Sequence, residues 1–196
     1  PERDAVTTHQ FGQNTEVHTK SSLSLVLFCL GEIDRALEVG ADVLRSADML
    51  RHPHSTVIPL TYVGGWVFGL CDASENLIYE ARRLLALSEQ HRLTAFSGHG
   101  NGLLGWGLAL QGHLEKGAER IERGLRWWDK HIDALLAQPQ AYTMYGLERI
   151  GAASGRKYFA TRAWYDQGAD ALLQRQEAKG NWGYIPDTCF ALLFLS

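Results

Sequence analysis

The side chains able to do chemistry are scattered through this 196-residue chain. Eight histidines invite a metal reading, and His52 and His54 stand two residues apart around Pro53. Zinc, however, needs three or four ligands at set spacings, and the chain has neither Cys-x-x-Cys nor His-Glu-x-x-His. His52, His54, His91, His99 and His113 therefore read as residues of turns and helix starts. Cys29, Cys71 and Cys189 are odd in number, widely spaced and set in apolar runs, which predicts three buried, reduced thiols. Gly98–Gly102 and Gly151–Gly155 are glycine-rich, but neither follows a strand or carries the lysine of a phosphate cradle. Ser154 is outside any Gly-x-Ser-x-Gly elbow. Asp187-Thr188 after Pro186 reads as a helix N-cap. The expectation is no catalytic residue, no metal and no cofactor.

One constellation does repeat. Gly65-Trp66-Val67-Phe68-Gly69-Leu70 returns 40 residues later as Gly105-Trp106-Gly107-Leu108-Ala109-Leu110, and Leu30-Gly31 sits one period earlier. Self-similarity at this period marks stacked helical hairpins, none of which buries its apolar face alone. Helices are predicted at 17–30, 33–47, 55–70, 75–90, 94–111 and 114–131. Short turns at Gly31, Asp72 and Gly112 make neighbours antiparallel. In the last of these helices Leu114, Ala118, Ile121, Leu125 and Trp128 fall at helical spacing as a core face. Its other face pairs Glu119 with Arg123 and Glu122 with Arg126. The segment 129–140 changes character and marks a soft boundary, after which the composition shifts toward aromatics and glycines, with further helices predicted at 140–153, 163–177 and 187–195. No strand is predicted.

Composition narrows the function classes. Apolar residues are 45% and charged residues 21%, ordinary for a globular protein. A net charge of −3 with interleaved signs argues against nucleic acid and membrane surfaces as partners. No apolar run is long enough for a membrane span, and no signal peptide opens the chain. With the reduced cysteines, these features point to the cytoplasm. The start at Pro1 suggests a trimmed or designed terminus.

Aligned by its turns, the segment 17–130 resembles tetratricopeptide-like repeats. Leu104-Gly105 stands midway along a first helix, and Ala36 and Gly117 stand early in second helices. The period is nearer 40 than the usual 34 of that family. The stretches 81–93 and 105–112 look like the repeat regions of large bacterial signalling ATPases. Residues 140–196 resemble another family. Gln176, Gly180 and Trp182 match the Gln-x-x-x-Gly-x-Trp repeat of squalene and hopene cyclases and prenyltransferase-like toroids. That resemblance implies a structural motif in which the glutamine caps a helix end, and it implies fold without activity. Two such vocabularies in one chain suggest a fragment, a recombined chain or a designed one.

The expected fold is all-α, a right-handed α-α superhelix of about nine helices in antiparallel hairpins. Residues 1–16 are expected as an N-terminal arm, 17–131 as tetratricopeptide-like repeats and 132–196 as toroid-type hairpins continuing the stack. The expected role is a scaffold, not an enzyme, that binds a protein or peptide; self-association is the other partner left open. The resemblance places His18, Leu25, Tyr62, Trp66, His99 and Trp106 along a concave groove, where aromatics anchor partners. Two alternatives stand beside this reading. One is an apolar-ligand cavity lined by Tyr142, Tyr145, Trp164 and Trp182, and the other is a designed chain without evolved function.

Overall fold

The computed structural model describes residues 14–196. Of the expected arm, only Asn14, Thr15 and Glu16 fall among these. The protein is all-α, with nine helices among the described residues. These are α1 (Thr15–Cys29), α2 (Ile33–Leu50), α3 (residues 53–70), α4 (Ser74–Gln90), α5 (Thr94–Leu110), α6 (Leu114–Ala137), α7 (Ala141–Ser154), α8 (Trp164–Leu173) and α9 (Ile185–Leu195). One short antiparallel pair, β1 (Tyr158–Phe159) and β2 (Arg162–Ala163), was not expected from the sequence. Two residues per strand are too few to carry a readable alternation.

The same turn recurs along the first half. At Gly31, Asp72, Arg92 and Gly112 the backbone is left-handed, with φ of 81°, 56°, 54° and 82°. The residue after each donates its N–H back across the helix end: Glu32 to Leu27, Ala73 to Phe68, Leu93 to Ser88 and His113 to Leu108, each at 2.9 Å. This six-to-one bond satisfies a carbonyl that the helix end would otherwise orphan. From α2 to α6 the helix starts fall every 20 or 21 residues, with Arg51, φ 49°, as the left-handed residue before α3.

Helix α3 departs from ideal geometry. It comprises Pro53–Pro59 in α form, Leu60–Val67 as a π-helix and Phe68–Leu70 in α form. Pro59 has no N–H for the carbonyl four residues back, so the ladder must re-register there. The buried Thr61 hydroxyl donates to the Val57 carbonyl at 2.8 Å. At the start of α3, His52 is the N-cap: its Nδ1 accepts the Ser55 N–H at 3.2 Å, and Pro53 takes the first turn.

The chain divides into two compact units, at Arg126 and Trp127. The division falls inside α6, whereas the soft boundary in the sequence lies across 129–140. In the first unit α3 packs against both α1 and α5, α2 packs against α1 and α3, and α4 packs against α3 and α5. Val57, Leu60, Leu77, Leu84 and Leu104 form its main core, and Val17, Val43, Ala47 and Val63 form a second cluster. Each fully buried side chain of this kind stabilises the fold by about 1.5–3 kcal/mol. Glu80 is 7% exposed and takes a 2.7 Å bond from Arg83, which also reaches Asp48 at 2.5 Å. Burial pushes the Glu80 carboxyl up, against the pull of that guanidinium.

The predicted core face of α6 needs correction. Leu114 is 69% exposed and Ile121 is 39% exposed, while Gly117 and Gly124 are buried. A Cβ on Gly117 would stand 2.8 Å from the Gly105 carbonyl oxygen, and one on Gly124 would stand 2.8 Å from that of Gly98. The two helices therefore touch backbone to backbone, and along this contact the buried line of α6 follows its glycines, a large apolar residue being fully buried only further on, at Ile132. The cysteines also differ from expectation: all are free, but Cys29 and Cys189 are exposed and Cys71 is part-buried. A small thiol sits at a helix surface without a large apolar cost, so apolar neighbours in sequence do not force it inward.

In the second unit α7 packs on α8 and α9 around Met144, Leu147, Leu172 and Phe194. The strand pair docks on the end of α6. Asp129 accepts the Ala160 N–H at 2.7 Å, and Asp133 accepts from Arg162 at 2.6 Å. The N-cap of α9 is Tyr184, not Asp187; the Thr188 hydroxyl instead accepts the Trp182 N–H at 3.1 Å.

Gly105→Ala places a methyl 2.6 Å from the Gly117 carbonyl oxygen, with no flexible side chain able to give way. It should cost about 1–3 kcal/mol in denaturant unfolding. Gly102→Ala meets nothing within 4 Å in the same helix. It should leave stability unchanged or raise it by up to about 1 kcal/mol.

Candidate functional site

Three of the six residues expected along a groove come together. Residues four apart are neighbours on one face of a helix, and the π segment keeps Tyr62 and Trp66 so. Tyr62 and Trp66 accordingly stack, with ring centroids 6.1 Å apart and planes 15° apart. His18 on α1 lies 6.2 Å from Tyr62 at a tilted angle. Trp66 is 51% exposed, so its ring surface faces solvent at the open end of this stack. Gly64 and Gly65 allow the π segment to sit this close to its neighbours. A Cβ at Gly64 would meet the Glu80 side chain at 2.5 Å, and one at Gly65 would meet Leu103 at 2.4 Å.

Trp106 is placed differently from its sequence counterpart. It is part-buried against the main core, and its ring covers Gly69, where a Cβ would approach it to 2.4 Å. The 40-residue echo therefore does not carry one orientation. Trp66 lies inside the π segment and Trp106 lies in a regular helix, so equivalent positions in sequence point in different directions. Leu25 is half-buried on α1.

His99 joins a third arrangement. Phe96 stands edge-on between His99 and His54, with both centroid distances at 5.9 Å. The His99 ring reaches solvent, yet enough protein surrounds it that burial lowers its pKa below 6.5. Sequence reasoning did not single out Phe96; its spacing of three from His99 was the available signal.

The second unit arranges its aromatics for packing. The Trp182 indole donates to the Leu172 carbonyl at 2.7 Å, capping the end of α8. Gln176 donates its side-chain amide to the Gly180 carbonyl at 3.0 Å, closing the loop. The helix cap implied for the glutamine is thus supplied by the tryptophan. Trp164 is 8% exposed, covers Gly151 and donates to the Arg156 carbonyl at 2.6 Å. Tyr145 packs on Phe190. An open cleft of about 440 Å³ receives Tyr142 and Trp182, with Arg175 and Asp187 on its walls. Tyr145 and Trp164 do not line it, so the four aromatics expected around one cavity are separated.

Among the described residues no group of three or more His, Cys, Asp or Glu side chains could hold a metal ion. No helix there is long and apolar enough to cross a membrane. No protein-family model matches the chain, nor does any curated protein or solved structure.

The two tryptophans should separate cleanly on substitution. Trp66→Ala should change unfolding free energy by less than about 0.5 kcal/mol, whereas Trp106→Ala should cost about 2–4 kcal/mol, because it opens a void over Gly69. For His99, the unfolded chain takes up a proton below about pH 6.5 that the folded ring resists. Stability should therefore fall as pH drops through that value, and thermal unfolding of His99→Gln should show a flatter dependence there.

Proposed function

We propose that this chain is a non-catalytic helical-repeat scaffold that holds a protein or peptide against the face formed by α1 and α3. The observation that carries this reading is the stacked Tyr62–Trp66 pair with Trp66 half exposed. An exposed tryptophan held rigid by a neighbouring ring offers large contact area at little entropic cost, the usual chemistry of a binding anchor. His18 extends the same patch from the neighbouring helix.

The recurring left-handed turn and its 2.9 Å bond support a repeat of the tetratricopeptide-like kind, stacked as a superhelix. Placing Leu25, His99 and Trp106 on the same groove is part of this proposal. Trp106 would then act by holding the floor of the face, since its ring is engaged with Gly69. In the second unit, the Gln176–Gly180 bond and the Trp182 cap support a toroid-type hairpin in a structural role. The three free thiols fit a reducing, cytoplasmic setting.

A displayed peptide library selected on the full chain tests the reading. Enriched peptides should lose about tenfold or more in affinity on Trp66→Ala, with an unchanged melting temperature. Peptides indifferent to Trp66→Ala, or no enrichment by a cooperatively folded chain, would sink it.

A further inference from the structure

A second surface of the first unit has a chemistry of its own. Helices α4, α5 and α6 enclose an open groove of about 680 Å³ that none of the six predicted residues lines. Its apolar lining includes Ile78, Leu104 and Leu108. Ile78 and Leu104 are 7% and 4% exposed, and Leu108 is part-buried. The groove follows from the glycine contact described above. With α6 backbone-close to α5, no large side chain fills the angle between α6 and α4.

The walls are basic. Arg82 comes from α4, and Lys116, Arg120 and Arg123 come from α6, against two carboxylates, Glu75 and Glu119. Glu119 is already bound to Arg123 at 2.5 Å. Arg120 reaches the neutral Asn101 side-chain oxygen at 3.4 Å. Arg82 and Lys116 have no ion-pair partner among the described residues. A chain of net charge −3 thus concentrates unneutralised cations on the rim of an apolar trough. The stretch of α6 along it, from Lys116 to Arg123, spans about 10 Å at about 1.5 Å per residue, the length of two helical turns.

We infer that this groove docks a short acidic amphipathic helix of a partner protein. Apolar residues at i, i+3, i+4 and i+7 of that helix would lie on Leu108 and the exposed Tyr79 ring, over a floor closed by Ile78 and Leu104, and its flanking carboxylates would meet Arg82, Lys116 and Arg120. The trough runs between two helices over a third, the setting in which another helix packs its ridges. Charge complementarity selects an acidic helix over a basic one, because like charges across such an interface are strongly unfavourable. This inference stands apart from the aromatic face on α1 and α3.

The test uses the full chain and two labelled peptides in fluorescence anisotropy. Both carry leucine at i, i+3, i+4 and i+7; one has glutamate at the flanking positions and the other has lysine. The glutamate peptide should bind about tenfold or more tighter than its lysine twin, and more weakly as salt is raised. Arg82→Glu with Lys116→Glu should lower that affinity about tenfold or more, with unchanged thermal unfolding. Trp66→Ala should leave it intact. Should the double variant fail to fold, Lys116→Ala alone should still weaken binding. Equal binding of the two peptides, binding of neither, indifference to the charge reversal, or capture of phosphatidylserine vesicles in place of the peptide would overturn the inference.

Discussion

The first unit depends on one backbone constraint, the left-handed residue that ends a helix and returns the next one beside it. Gly31 and Gly112 meet it freely, since a glycine has no Cβ to clash at positive φ. Arg51, Asp72 and Arg92 meet it at a cost of about 1–2 kcal/mol each. That three non-glycine residues hold this conformation indicates that the surrounding packing over-determines the turns. With the turn fixed, helix length and start are fixed, and each helix meets its neighbours at the same heights. The core clusters on Leu60, Leu77 and Leu84, and on Val43 and Val63, follow from that register.

Two local departures from this regularity create the surfaces. Within the π segment of α3, Tyr62 and Trp66 stack four residues apart and Trp66 faces outward. The backbone contact between Gly105 and Gly117 brings α6 hard against α5 and opens the basic trough beside it. In both cases small residues allow close approach at one place, and the geometry next to it becomes available to a partner. The second unit uses its tryptophans inward, as a helix cap at Trp182 and as a packed ring at Trp164.

Much of the helical framework was legible from apolar spacing and turn residues, because both reflect local energetics. The turns at Gly31, Asp72 and Gly112 were readable for that reason. What escaped was the rotation of faces. The helix predicted at 55–70 runs straight through Pro59, and nothing in its neighbours announces that bonding will shift to five residues back. The face of α6 was misread because Leu114 and Ile121 carry more hydrophobicity than Gly117 and Gly124, while a glycine contact is decided by distance. The basic trough had a signal in Lys116, Arg120 and Arg123 at i, i+4 and i+7. It passed for a solvated face because the partner wall, with Arg82, comes from another helix.

The most direct test of this account is thermal unfolding, followed by circular dichroism, of four turn variants. Gly31→Ala and Gly112→Ala should each lower the melting temperature, because alanine must enter the left-handed region. Asp72→Gly and Arg92→Gly should each raise it or leave it unchanged, as the strain of about 1 kcal/mol is relieved against glycine's greater unfolded-state entropy. Contradiction would come from the opposite signs, or from alanine at both glycines with no loss, since the hairpins would then not rest on these turns.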